Sequence, residues 1–167
     1  MKNGIRIFGS LVITAVLFAS NAVAQEKIGS ISISHPWARA TPAGAKVGGG
    51  YVTIRNNGAQ TDRLTGVTLS AADHADIHEM KMDGGVMKMR PLPEGLQIKP
   101  GETVKLSPEG YHLMFMGLHS PLKQGESIKG RLTFEKAGPI DVEFKVESVG
   151  AKMPTSDHMN MKMDKAH

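Results

Sequence analysis

The chain has 167 residues, with 20 Lys and Arg against 16 Asp and Glu, a formal charge of +4. So small a surplus, with no basic cluster interleaved with aromatics, argues against nucleic acid as a partner. No cysteine is present, which excludes a thiolate nucleophile, a CxxC redox pair, an iron–sulfur cluster and a blue-copper centre with its Cys ligand.

From the N-terminus, Lys2 and Arg6 form a short positive region, Leu11 to Phe18 is a nearly unbroken apolar run, and Ala22-Val23-Ala24 gives the small-x-small pattern of a cleavage site. The apolar run is well short of the roughly 20 residues that span a bilayer. Residues 1–24 are therefore expected to be an export signal cleaved after Ala24, which would place the protein in the periplasm. Residues 25–149 suit a single domain with a real core. Without disulfides, that core must supply the stability.

Strand-like runs then follow one another. Ile28 to Ser34 alternates, and Tyr51 to Ile54 is rich in strand formers before Asn56-Asn57-Gly58 breaks it. Thr103 to Leu106, Tyr111 to Met116, Ser127 to Glu135 and Ile140 to Val149 come later, punctuated by Gly and Pro. No stretch keeps a helical apolar period. Short strands between regular turn signals predict an antiparallel sandwich or barrel. No internal repeat is visible.

Eleven methionines are the anomaly, and most fall in two clusters. The first is His78-Glu-Met80-Lys-Met82-Asp83-Gly84-Gly85-Val-Met87-Lys-Met89. Asp-Gly between alternating residues is a strong hairpin signal, because a type I′ turn needs positive φ at both central positions. With Asp83 and Gly84 at the turn, Met80 would face Met87 and His78 would face Met89. His78, Met80, Met87 and Met89 would then share one face, with Glu79, Lys81 and Lys88 on the other. Directly opposed Cβ atoms lie about 4.5–5.5 Å apart, close enough for two side chains to reach one ion. Further on, His112, Met114 and Met116 fall on one face of a strand whose other face, Leu113 and Phe115, enters the core.

A His-x-Met strand beside a His/Met hairpin predicts a site of two imidazoles and two thioethers. Neutral soft sulfur favours Cu(I) over Zn(II), Mg(II) or Ca(II), and no acidic residue is expected on that face. A single methionine in a strand is more often packing than ligation. Two His-x-Met units with a further Met opposite the first His are a rarer coincidence, and they point to metal. His35, His74 and His119 are expected to be loop or surface residues.

Residues 150–167 lose apolar alternation and are expected to form a disordered tail. Its His158, Met159, Met161, Met163 and His167, with Met153, suggest a second and looser copper site, whose histidines and carboxylates would also suit Cu(II).

The mature chain resembles the periplasmic copper chaperones of the PCuAC type. The resemblance rests on Trp37-Ala-Arg-Ala-Thr-Pro42, Gly50-Tyr51, Asn56-Asn57, His78-Glu-Met80, Gly85-Val-Met-Lys-Met-Arg-Pro91, Gly110-Tyr-His-Leu-Met114 and Leu132-Thr-Phe-Glu135. Ten residues separate His78 from Met89, and 22 separate Met89 from His112, one more than the family's usual gap. The resemblance implies a Greek-key β-sandwich, cupredoxin-like or immunoglobulin-like, with an exposed Cu(I) site. It implies His78, Met89, His112 and Met114 as ligands, choosing Met89 over Met87. It further implies delivery of copper toward the CuA centre of cytochrome c oxidase, often beside a Sco-type chaperone; the protein is separately expected to be a monomer. A periplasmic buffer that sequesters copper for resistance is the alternative. An enzyme is not expected, since no Ser-His-Asp set or acid/base carboxylate pair accompanies the ligands and four protein donors leave no open coordination position.

Overall fold

The computed structural model describes residues 26–155. They form eleven strands: β1 Glu26–Ile28, β2 Ile31–Arg39, β3 Val47–Asn56, β4 Asp62–Leu69, β5 His74–Asp83, β6 Val86–Pro91, β7 Leu96–Ile98, β8 Thr103–Lys105, β9 Tyr111–Met116, β10 Ser127–Phe134 and β11 Gly138–Glu147. Hydrogen bonds join them in the order β6-β5-β9-β3-β2-β11-β10-β4-β7, with β1 on β2 and β8 on β3. The expected all-β class holds, with one departure: β11 runs parallel to β2, so the sheet is mixed and not purely antiparallel. The segment expected as an export signal and most of the segment expected as a tail lie outside the described residues.

Two strands change partners along their length, and this folds the ladder over its own core. β2 pairs with β1 through Ile31–Ile33 and with β11 through Trp37–Arg39. β3 pairs with β9 through Val47–Gly50 and with β8 through Thr53–Arg55. Between the two halves of β2, Ser34 opposes Thr53 but Trp37 opposes Tyr51, so one extra residue is inserted. His35 takes a positive φ of 51° there. The insertion reverses which side chains face inward: Ile31 and Ile33 point into the core before it, Ala38 after it. His35, expected in a loop, is thus part of a bulged strand.

Strands 111–116 and 140–147 follow their apolar alternation. In β9, Leu113 and Phe115 are fully buried, and in β11 Ile140, Val142, Phe144 and Val146 are buried. Phe115 meets Phe144 edge-on, with ring centroids 5.5 Å apart. Gly50 of β3 makes room for this ring, since a Cβ there would stand 2.4 Å from the Phe115 ring carbon Cζ. The packing inward fixes what points outward: Trp37 and Tyr51, ring centroids 4.3 Å apart, and then, across the sheet, His112, Met114 and Met116.

The start of the segment expected as a tail is held against this outer face. Arg39 Nε donates to the Ala151 carbonyl at 2.8 Å, and Arg39 lies over the Tyr51 ring. The Thr155 N–H and hydroxyl both donate to the Glu147 carboxylate, at 3.1 and 2.6 Å.

Candidate metal centre

The β5–β6 hairpin turns at Gly84-Gly85, where the sequence reading puts Asp83-Gly84. Asp83 pairs with Val86, Met82 with Met87, Met80 with Met89 and His78 with Pro91. Gly84 and Gly85 have φ of 60° and 80°, which satisfies the type I′ requirement with two glycines and leaves no Cβ in the left-handed region. The shift is two residues, so the faces are kept but the partners change. His78, Met80, Met82, Met87 and Met89 share one face, while Glu79, Lys81, Lys88 and Arg90 lie on the other. There Arg90 pairs with Glu79 at 3.2 Å and Lys88 with Asp83 at 2.8 Å.

β9 lies on the other side of β5, with His78 directly opposite His112, Asp76 opposite Met114 and His74 opposite Met116. The two imidazoles meet with ring centroids 5.8 Å apart. Met89, two strands away from His112, reaches back across β5 and sets its Sδ 3.2 Å from His112 Nε2. The structure therefore gathers three of the four expected ligands, His78, Met89 and His112. Met114 stands on the same face one row along, half-buried. Met82 and Met87 sit near the hairpin tip, 59% and 44% exposed. The tail residues His158, Met159, Met161, Met163 and His167 lie outside the described residues.

The protonation pattern suits a soft cation. His112 Nδ1 lies 3.1 Å from the Gly110 carbonyl. A carbonyl only accepts, so in the neutral ring Nδ1 carries the proton and Nε2 keeps a lone pair. That lone pair faces a thioether sulfur, which also has only lone pairs to offer. Two donors without a proton between them at 3.2 Å are arranged to share a cation. His78 Nδ1 is buried with no hydrogen-bond partner, a state that costs about 1–3 kcal/mol unless something binds it. Among the described residues no group of three or more His, Asp or Glu could hold a metal, so a third side-chain ligand beside the two imidazoles would be a thioether.

Burial, and then the neighbouring His112, push the His78 pKa below the ordinary histidine value of 6.5, with Asp76 opposing. The folded state thus binds fewer protons at His78 than the unfolded chain. This contribution to stability is fully present above the unfolded value and is lost as pH falls through the lower folded one. In the metal-free protein, the His78 ring should titrate at lower pH than a free histidine when followed by NMR; titration at or above the free value would contradict the burial of this ring.

Two residues on this face escape the sequence reading. β5 begins at His74, further back than the His/Met cluster suggests, so His74 is a strand residue and not a loop residue, and Asp76 joins the ligand face. The expectation of a face without acidic residues is therefore corrected: Asp76 is there, exposed, in the row next to His78. The alternation Asp76-x-His78-x-Met80 is the signal that extends the strand backward. His119 sits outside this face's strands, its Nε2 2.9 Å from the Asp73 carboxylate.

A pair of imidazoles and a thioether displayed on the outer face of a β-sandwich make this face the candidate metal centre of a small β domain. The chain belongs to the family described as "Putative lipoprotein LpqE-like", which matches residues 31–146. A relative from Leifsonia xyli subsp. xyli (strain CTCB07), named "Putative lipoprotein Lxx21020", is 32% identical over 117 residues, 69% of each chain. Among solved structures, the apo PCuAC domain from PmoF1 is 25% identical, with a TM-score of 0.64 over 75% of this chain and 99% of that one. A copper-bound PCuAC domain from PmoF2 is also 25% identical, with a TM-score of 0.64 over 75% and 98%. CuI-DR1885 from Deinococcus radiodurans is 25% identical, with a TM-score of 0.59 over 80% and 87%. The fold is that of PCuAC domains. Although its relatives are described as lipoproteins, these 167 residues contain no cysteine and so no thiol for a lipid thioether. Among the described residues no helix is long and apolar enough to cross a membrane.

Proposed function

We propose that this protein is an exported copper carrier that binds Cu(I) through His78, Met89, His112 and Met114 and delivers it toward the CuA centre of cytochrome c oxidase. The observation that carries the proposal is the approach of His112 Nε2 to Met89 Sδ at 3.2 Å, beside the unpartnered buried Nδ1 of His78. Copper in the solved domain of PmoF2 and Cu(I) in DR1885 support the choice of ion. The ligand chemistry supports it independently: two neutral imidazoles with thioethers suit a soft monovalent cation. With every donor neutral, the loaded site keeps a single positive charge, and no chemical step beyond ligand exchange is needed to release it.

Export to the periplasm is supported by the leader-like residues 1–24 and by the lipoprotein description of the relatives. The delivery test is transfer from the Cu(I)-loaded protein to a metal-free CuA subunit, alone and with a Sco-type thiol chaperone. Appearance of copper on the acceptor, faster than from free Cu(I) under the same chelator, is expected. Retention of copper by the carrier, together with copper sensitivity and intact oxidase in a deletion strain, would make the protein a sequestering buffer instead.

The tail is proposed as a second copper position using His158, Met159, Met161, Met163 and His167, open to Cu(II) as well. Because Thr155 is bonded to Glu147, the informative truncation ends at residue 155. It should leave the Cu(I) site and the melting temperature unchanged and lower total copper stoichiometry by equilibrium dialysis. Unchanged stoichiometry would reduce the tail to a passive extension.

A further inference from the structure

We infer that the same sheet face carries a second soft-metal position, formed by His74 of β5 and Met116 of β9, which receives Cu(I) from the first by way of Met114. The inference rests on the reading of His78, Met89 and His112 as a Cu(I) site. Three successive rows of the β5–β9 ribbon carry metal-binding side chains on one face: His78 opposite His112, Asp76 opposite Met114 and His74 opposite Met116. Opposed Cβ atoms lie about 4.5–5.5 Å apart, so His74 and Met116 reach one ion together. Successive rows are about 7 Å apart along the strands, which puts Met114 one step from either pair.

Packing in the core does not account for these methionines. The core side of β9 is taken by Leu113 and Phe115, whereas Met114 and Met116 lie outside the core cluster, half-buried on the opposite face. His74 is exposed, so its imidazole is open to an arriving ion. Asp73, next to His74 in the chain, is held by His119 at 2.9 Å, and Asp76 stands one row away, which leaves one nitrogen and one sulfur as the donors of the row itself. That pair suits Cu(I), which accepts two-coordinate geometry, and is poor for hard cations that need several oxygens. Movement along the face is ligand exchange alone: Met114, a ligand of the first position, keeps the ion while its bonds to His78, His112 and Met89 break and bonds to Met116 and His74 form. The ion stays monovalent throughout.

The test is titration of the full chain, with methionine methyl groups and histidine rings isotopically labelled, by Ag(I) as a redox-inert stand-in for Cu(I). The first equivalent should shift the Met89 and His112 signals, and further metal should shift Met116 and His74 together with one common midpoint. His74→Ala should abolish the Met116 shift while leaving the first-equivalent shifts in place. A Met116 signal that stays still at saturation, or that moves unchanged in H74A, overturns the second position. Stillness of Met89 and His112 while Met116 moves overturns the first site instead, so the two failures are distinguishable.

Discussion

Replacing His112 by Ala should weaken Cu(I) binding by roughly 100-fold or more, about 2.7 kcal/mol, measured by competition with a Cu(I) chelator under reducing conditions. Losing only an outer-shell partner of a metal ligand typically costs about 10–100-fold in affinity, so loss of the ligand itself belongs at or beyond the top of that range. His112 is central for geometric reasons. It faces His78 across the β5–β9 pair, its Nδ1 is spent on the Gly110 carbonyl, and its Nε2 is the atom that Met89 approaches. Met116→Ala should change the first-site affinity far less, because Met116 lies two rows away along β9. Equal losses in H112A and M116A would overturn the ligand assignment. His112 is itself 6% exposed, so the variant's fold is checked by its near-ultraviolet circular dichroism before its affinity is interpreted.

Phe115→Ala should destabilise the domain by about 3–5 kcal/mol in denaturant unfolding, the usual cost of removing a buried aromatic ring. The ring is fully buried, packs edge-on against Phe144 and fills the space that Gly50 leaves open. Phe115 also lies between Met114 and Met116, so the inward half of β9 anchors the strand that presents the outward ligands. The folded fraction of F115A should still bind Cu(I), more weakly than wild type but more tightly than H112A. A loss below 1 kcal/mol would mean that this ring is not the anchor its burial indicates.

The two faces of β9 show why much of the site was legible in the sequence. Its strict alternation, Leu113 and Phe115 inward and His112, Met114 and Met116 outward, needs no tertiary information, because the side-chain period of a strand is two. The hairpin was legible in its faces but not in its partners. Asp83-Gly84 and Gly84-Gly85 are both type I′ candidates, and the two registers differ by two residues, so Met89 shares a face with His78 under either. Only the preference for glycine at both positive-φ positions separates them. That Met89 spans β5 to reach His112 is a property of the folded ribbon that no local pattern encodes.

Elsewhere the alternation itself is interrupted. In β4, Leu64 faces the core, but so do Val67 and Leu69 after a register shift opposite Thr133 and Phe134. The bulge at Thr65-Gly66 breaks the period-two signal that would otherwise have marked the strand. In β2 the alternation marks only the part up to Ser34, because the apolar parity reverses at His35-Pro36. The parallel pairing of β11 with β2 joins residues more than a hundred positions apart, and strand direction across such a gap leaves no trace in local sequence.

The most direct measurement is X-ray absorption of the full-length protein carrying one equivalent of Cu(I). Nitrogen from two imidazoles together with thioether sulfur in the first coordination shell is the expected result. A shell of nitrogen and oxygen without sulfur, or failure of the purified protein to take up copper under reducing conditions, would contradict it.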